Sequence, residues 1–410
     1  GNVLDREAVG QFLHATHERF FQEFGADFGT TIPAVFTDEP QLCKKGMLSD
    51  PDAQEELLLP YTDSFDETYR QKYGMSFLDI LPEIIWELPN GKVSPARYFY
   101  HDRICEEFSS TYCDTLGEWC DAHRILLTGH LLNEDSLYSQ TRSTGDVMRS
   151  YRAFQLPGID ILSARPEFTT AKQAQSVTHQ YGRPGVLCEI YGATGWRFRF
   201  QDYKLSGDWL AALGVTVRVH HLNWMCMSGE AKRDYPASIG SQSPWYREFP
   251  LIEDHFSRIA TALTRGKPIV RVGVIHPIES YWLHWGPNSQ TSSAREVMEN
   301  NFQNITRWLL FGLIDFDFLC EALLPVQKAQ GPNFTAGAMS YDAVVVPACE
   351  TLRRTTGERL ETFQKQGGKI LFVGKPPSLV DAVPNDRVEK LAEKCSCVPL
   401  CRGNLLNALA

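Results

Sequence analysis

Two periods alternate along the first two thirds of the chain. Over residues 5–24, DREAVGQFLHATHERFFQEF, the apolar positions Val9, Phe12, Leu13, Phe20 and Phe21 recur at helical spacing, and a β-branched and aromatic run follows at 32–36. The exchange then repeats. A long helical stretch, YFYHDRICEEFSSTYCDTLGEWCDAH, precedes the strand RILLTGHL at 124–131, and short apolar runs follow at 158–164 (GIDILSA), 185–192 (GVLCEIYG) and 215–224 (VTVRVHHLNW). Short apolar runs separated by helices are what parallel strands covered on both faces require. The pattern predicts an α/β sheet or barrel over residues 1–265.

From about residue 266 the units become more compact. PIVRVGVIHP (268–277), YDAVVVPAC (341–349) and KILFVGKPP (369–377) read as strands. SAREVMENNFQNITRWLLFGLI (293–314) and TTGERLETFQKQGG (355–368), which closes on two glycines, read as helices. These are the βαβ units of a small doubly wound domain over 266–410.

Charge and cysteine usage narrow the class. The 410 residues carry a formal net charge of -10, and no stripe of Lys and Arg appears, which argues against nucleic acid or an anionic membrane surface as partner. A neutral or weakly charged substrate fits better. No apolar run approaches the ~20 residues of a membrane span, and the opening residues GNVLDREAVGQF do not read as an export leader. Most of the eleven cysteines sit in apolar segments, as Cys188 and Cys320 do, which is the usage of buried reduced thiols and predicts a cytoplasmic protein. Cys395, Cys397 and Cys401 have no partner pair and no nearby His, so no metal is expected there, and no cofactor is predicted. A homo-oligomer is compatible with this composition.

The chemistry concentrates at strand ends. The segment TIPAVFTDEPQL closes an apolar run on Asp38 and Glu39 before Pro40, which turn chemistry alone would explain. Four further strand ends in order are polar or aromatic: Thr128 and His130, then Asp160 to Arg165, then Glu189 and Tyr191, then His220, His221, Asn223 and Trp224. In a barrel the active site lies at that side of the strands. Glu189 is the sharpest candidate, because an ionised carboxylate inside Val186-Leu187-Cys188-Ile190 is costly without a partner or a task. The structural alternative is an ion pair with Arg183 or Arg197. Tyr191, Trp196, Trp224 and Trp245 could offer flat apolar faces for sugar rings. His220 and His221 are adjacent on a strand, so at most one of them faces the site.

On these residues the chain resembles a large clan of (β/α)8-barrel glycosidases. Asp38-Glu39-Pro40 resembles that clan's Asn-Glu-Pro, whose Glu is the acid/base after strand four. Counting onward, Glu189 closes strand seven, where the clan keeps its nucleophile. The stretches HQYGRPGVLCEIYGATGWRF, DWLAALGVTVRVHH and KRDYPASIGSQSPWY resemble uncharacterised relatives of α-L-rhamnosidases. YDAVVVPACETL and QKQGGKILFVG resemble the amidotransferase-like domain that follows the barrel in some β-galactosidases. The resemblance implies a TIM-type barrel, of which only strands four to eight can be counted, followed by a flavodoxin-like or amidotransferase-like domain.

It also implies hydrolysis of an oligosaccharide or glycoside by two carboxylates, Glu39 as acid/base and Glu189 as nucleophile or base. Asp38, His130, Asn133, His179, His220, Arg233 and Asp234 are the candidates to hold hydroxyls, and Asp38 departs from the clan's Asn. Two rival readings are a non-catalytic carbohydrate-binding barrel and an amidotransferase-like activity at Cys349. The latter's strand-to-helix turn, VPACETL, lacks the glycines of a nucleophile elbow.

Overall fold

The computed structural model describes residues 2–229, 235, 237–327 and 331–410. Five strands, β1 (Ala34–Asp38), β2 (Leu126–His130), β3 (Leu156–Ile161), β4 (Val186–Ile190) and β5 (Val215–His220), form one all-parallel sheet in sequence order with helices between them. This is part of a TIM-type barrel. The strands are mostly β-branched or aliphatic runs of five or six residues; β2 and β5 end on a histidine, and β1 and β4 are followed directly by a residue of positive φ. The long stretch before β2 is helical as expected, with a π-type turn at Ser109–Asp114 joining Pro95–Phe108 to Thr115–Ala122.

The remaining strands are β6 (Val272–Ile275), β7 (Phe316–Leu319), the hairpin β8 (Phe334–Ala336) and β9 (Met339–Tyr341), β10 (Ala343–Val346), β11 (Thr351–Leu352), β12 (Lys369–Val373), β13 (Leu379–Val380), β14 (Val383–Pro384) and β15 (Ser396–Val398). Five of these make a second parallel sheet in the order β15-β12-β10-β6-β7, the doubly wound order of a flavodoxin-like fold. Alternate residues face different cores. Phe316, Phe318, Val345, Leu371 and Val373 join the large core that also holds Leu127, Ile159 and Cys188 of the first sheet, whereas Leu319, Val344, Val346, Ile370 and Phe372 face a smaller one. That is why these strands read as unbroken apolar runs. No helix among the described residues is long and apolar enough to cross a membrane.

Two devices tie the sheets together. The helix Phe168–Gln180 lies against both β3 and β7, and its polar residues are spent on the second sheet. Ser176 Oγ accepts from the Phe318 amide at 2.8 Å, Gln180 Nε2 donates to the Phe318 carbonyl at 2.8 Å, and Lys172 Nζ reaches Asp315 at 2.9 Å. Beside it, two arginines and two acids form a buried cluster. Arg149 donates to the Asp102 carboxylate at 3.0 Å, Arg353 donates to Glu279 at 2.6 Å and also contacts Asp102, and the Tyr98 hydroxyl donates to Glu279 at 2.6 Å.

The segment between Glu39 and the helix at Phe65 has no regular structure, so bonds to neighbouring segments must fix it. The Leu42 and Lys45 amides bond the carbonyls of Ser143 and Arg142 at 2.7 and 2.9 Å, and Trp285 Nε1 donates to the Gly46 carbonyl at 2.9 Å. Lys45 is fully buried, with its Nζ 3.0 Å from His101 Nδ1 and no carboxylate partner among the described residues. Burial pulls its pKa down from 10.5 to about 7, with the thiols of Cys105 and Cys43 opposing. The folded chain therefore lacks a proton that the unfolded chain holds, and this group costs stability below the ordinary lysine range, by about 1.4 kcal/mol per pH unit down to pH ~7. Lys45→Met should be more stable than the parent at pH 7.5, by on the order of 2 kcal/mol, with the gain shrinking at pH 9.5. Urea unfolding at the two pH values checks this; a variant weaker at both would mean that the ammonium is accommodated.

Candidate active site

In a parallel sheet, paired residues of neighbouring strands point to the same face. The register pairs Asp38 with His130, Thr128 with Leu156, Asp160 with Glu189, and Glu189 with Val219. Alternation then carries one face across all five strands, through Phe36 and Asp38, Thr128 and His130, Gly158 and Asp160, Leu187 and Glu189, and Val217 and Val219. This face is open. Phe36, Val217 and Val219 are 38%, 40% and 39% exposed, and the acids stand at its C-terminal rim. Strand β2 reaches His130 through Gly129, whose φ is +119° and where a Cβ would lie 1.9 Å from the Thr37 carbonyl oxygen, so only glycine allows β1 and β2 to approach there. Glu39 and Tyr191 both hold positive φ, 46° and 74°, directly after their strands. Backbone strain of this kind, about 1 kcal/mol or more for each residue, is concentrated at functional sites.

His130 is the hub. It is 1% exposed, and its Nε2 lies 2.8 Å from Glu189 Oε2 and 3.5 Å from Asp38 Oδ1. Burial opposes its protonation, but the bond to Glu189 and the charges of Glu134, Asp160 and Glu189 outweigh it, and its pKa rises to about 9. Glu189 is held below the usual carboxylate range, chiefly by that same bond. His221 Nε2 stands 4.0 Å from Glu189's other oxygen. Glu39 lies at the exposed rim, its amide bonded to the His130 carbonyl at 3.1 Å, and its carboxylate is grouped with His130 and Asp160 within 4.8 Å. Glu134 is buried beneath, accepting from the Leu131 amide at 3.0 Å and from the Tyr151 hydroxyl; burial pushes it up to about 8.

Asp38, Glu39, His130 and Glu189 thus come together, and Glu189 pairs with His130 rather than with Arg183 or Arg197. Other expected residues lie elsewhere. His220 pairs in register with Ile190 and faces the opposite side, bonding Glu253 at 3.2 Å and stacking on Tyr191. Tyr191 is buried in that layer, its hydroxyl donating to the Tyr203 carbonyl at 3.2 Å. His179 bonds Asp317 of the second sheet at 2.9 Å, and Asn133 is exposed with its amide on Ser143 at 3.2 Å. Trp245 packs against Phe200 and bonds the Ser238 carbonyl at 3.1 Å. Trp196 and Trp224 are half-buried in the loops after β4 and β5, and Arg233 and Asp234 lie outside the described residues.

Two alternative chemistries find less support. Asp38, His130 and Glu189 offer donors within 4.8 Å of one another. The imidazole nitrogen nearest both carboxylates is bonded to Glu189 at 2.8 Å. Cys349 is buried and its thiol is pushed well above 9 by burial and by Glu321 and Glu350, the reverse of an activated nucleophile. The nearby His284 bonds Glu350 at 2.8 Å.

The sequence marked Asp160 and His221 only as polar strand ends, and it did not single out Glu134. Asp160 carried the same signal as Glu189, an acid between isoleucines in an apolar strand.

No family model and no curated protein sequence matches the chain. Solved structures do. A rhamnosidase from Novosphingobium sp. PP1Y aligns over 95% of this chain and 35% of its own, at 16% identity and a TM-score of 0.65. An exo-carrageenase from Bacteroides ovatus aligns over 90% of this chain and 53% of its own, at 12% identity and a TM-score of 0.56. A cold-adapted β-galactosidase from Rahnella sp. R3 aligns over 82% of this chain and 52% of its own, at 15% identity and a TM-score of 0.54. The chain spans from about a third to about half of the length of these proteins. The likeness shows a glycoside-hydrolase-like fold.

Proposed function

We propose that the open face carries a glycoside hydrolase site in which Glu189 is the nucleophile or base and Glu39 the acid/base. The observation that carries this reading is the His130–Glu189 pair at 2.8 Å, which keeps one carboxylate ionised inside an apolar strand while other acids crowd its neighbourhood. Glycoside hydrolysis needs this asymmetry, an anion to meet the oxocarbenium-like transition state and a second carboxyl to move a proton. Glu39 stands past the end of β1 at the solvent edge, a position from which it can serve a leaving oxygen. Asp38, within reach of the same imidazole, is suited to hold a hydroxyl.

The three similar proteins are a rhamnosidase, a β-galactosidase and an exo-carrageenase, which supports an oligosaccharide or glycoside substrate of the rhamnosidase-like or galactosidase-like kind. Residues 1–265 would supply the catalytic barrel portion and 266–410 a flavodoxin-like domain that buttresses it.

Hydrolysis of a panel of aryl glycosides tests the reading. Glu189→Gln keeps the shape and removes the charge, so turnover should fall by at least ~10³, about 4 kcal/mol of transition-state stabilisation, with the melting temperature little changed. A variant that melts early yet turns over normally would remove Glu189 from the chemistry. His130→Gln should act through Glu189. Without the imidazolium, the carboxylate loses the partner that holds its pKa down, so the acid limb of the kcat/KM profile should move to higher pH, by roughly one unit. An unmoved limb would separate His130 from the ionisation that limits the rate.

A further inference from the structure

Asp160 stands beside Glu189 in register, on the same face and without its partner. Its Oδ1 is buried and accepts no hydrogen bond from the described residues, yet the residue is only half-buried, so the rest of the carboxyl meets the open face. The groups around it are mostly acids: Asp38 and Glu39 from β1, Glu134 after β2, and Glu189 on β4, with the buried thiol of Cys188 next to it. Against them stand His130, which is bonded to Glu189, and His221, which faces Glu189 at 4.0 Å. An ionised Asp160 would be one more anion in this group with no donor of its own, and neutralising by protonation is how crowded carboxyls escape that cost. Burial, helped by Glu189, Glu39 and Asp38 and opposed by His130, brings Asp160 up to about 7.

We propose that Asp160 is a third carboxyl of the site, working as the neutral acid and donating its O–H to a ring hydroxyl of the bound sugar while Glu189 remains the anion. This rests on the glycosidase reading. A carboxylate can only accept hydrogen bonds, whereas the acid also donates, so the pair of neighbours presents one donor and one charge to a polyhydroxylated ring. Asp160 thereby becomes a specificity-determining residue, and it loses its donor as pH rises through about 7.

Asp160→Asn keeps the shape and a donor but cannot titrate, and Asp160→Ala removes both. On the best aryl glycoside of the panel, Asp160→Asn should keep kcat/KM within ~3-fold at pH 6 and lose the decline the parent shows above pH 7, whereas Asp160→Ala should fall about tenfold at pH 6. Infrared difference spectra of the parent against Asp160→Asn should show a protonated-carboxyl band at pH 6 that fades as pH rises through 7. Absence of that band at pH 6 overturns the proposal. So does an Asp160→Asn profile that keeps the parent's decline, or one as damaged as Asp160→Ala. If no form hydrolyses any glycoside, the glycosidase reading has failed, and the infrared band alone then decides whether Asp160 carries the proton.

Discussion

Parallel pairing in register is the constraint on which the site depends. Since neighbours across a parallel ladder share a face, fixing Asp38 opposite His130 and Asp160 opposite Glu189 fixes four functional groups at once. A slip of one residue in β3 or β4 would send Asp160 or Glu189 to the opposite face and bring a neighbouring isoleucine or Cys188 to the site. The close approach at Gly129, where β2 passes against Thr37, adds a steric pin to the register between β1 and β2. The chemistry is therefore specified by backbone geometry before any side chain interacts with another.

Given that geometry, electrostatics sorts the acids. One imidazole, already bonded to Glu189, cannot neutralise every carboxyl around it, so the acids divide by environment. Glu189 takes the hydrogen bond and stays ionised, Glu134 is buried on Tyr151 and the Leu131 amide, and Asp38 and Glu39 reach water. Similar side chains acquire different protonation behaviour without any change of residue type, which is how paired-carboxyl sites separate an anion from an acid.

Much of this was legible in the chain. The five apolar runs and their polar ends could be read because short apolar runs separated by helical stretches leave little ambiguity, and Glu189 was conspicuous for what surrounds it. Asp160 had similar surroundings, but the apolar run continues through Ile161 and Leu162 before Ser163, which masked where its strand ended. Alternation showed that His220 and His221 face opposite ways. Which of them meets Glu189 depends on the pairing of Ile190 with His220, and one strand's sequence does not contain that. Tyr191 and Trp245 read as sugar platforms or core; packing buried Tyr191 in the core, and Trp245 is half-buried with its indole bonded to the Ser238 carbonyl. The short strands β7 and β15, of four and three residues, carry too few positions for a period to register.

The cluster of Arg149, Asp102, Arg353 and Glu279 was beyond sequence reading, since Asp102 and Arg353 are 251 residues apart. Within it Arg149 pairs with Asp102 and Arg353 with Glu279, and the Arg353–Asp102 contact joins the two pairs from one sheet to the other, so separating the sheets would break a buried ionic contact. The large apolar core also runs through both sheets without a break. The two sheets are therefore one cooperative unit in folding: neither can open while the other stays intact at small cost, and thermal melting should not resolve a barrel step from a flavodoxin-like step. Among the described residues the second sheet contributes none to the site, yet the alignment of β2 to β4 that builds it is secured in part by a helix bonded to β7.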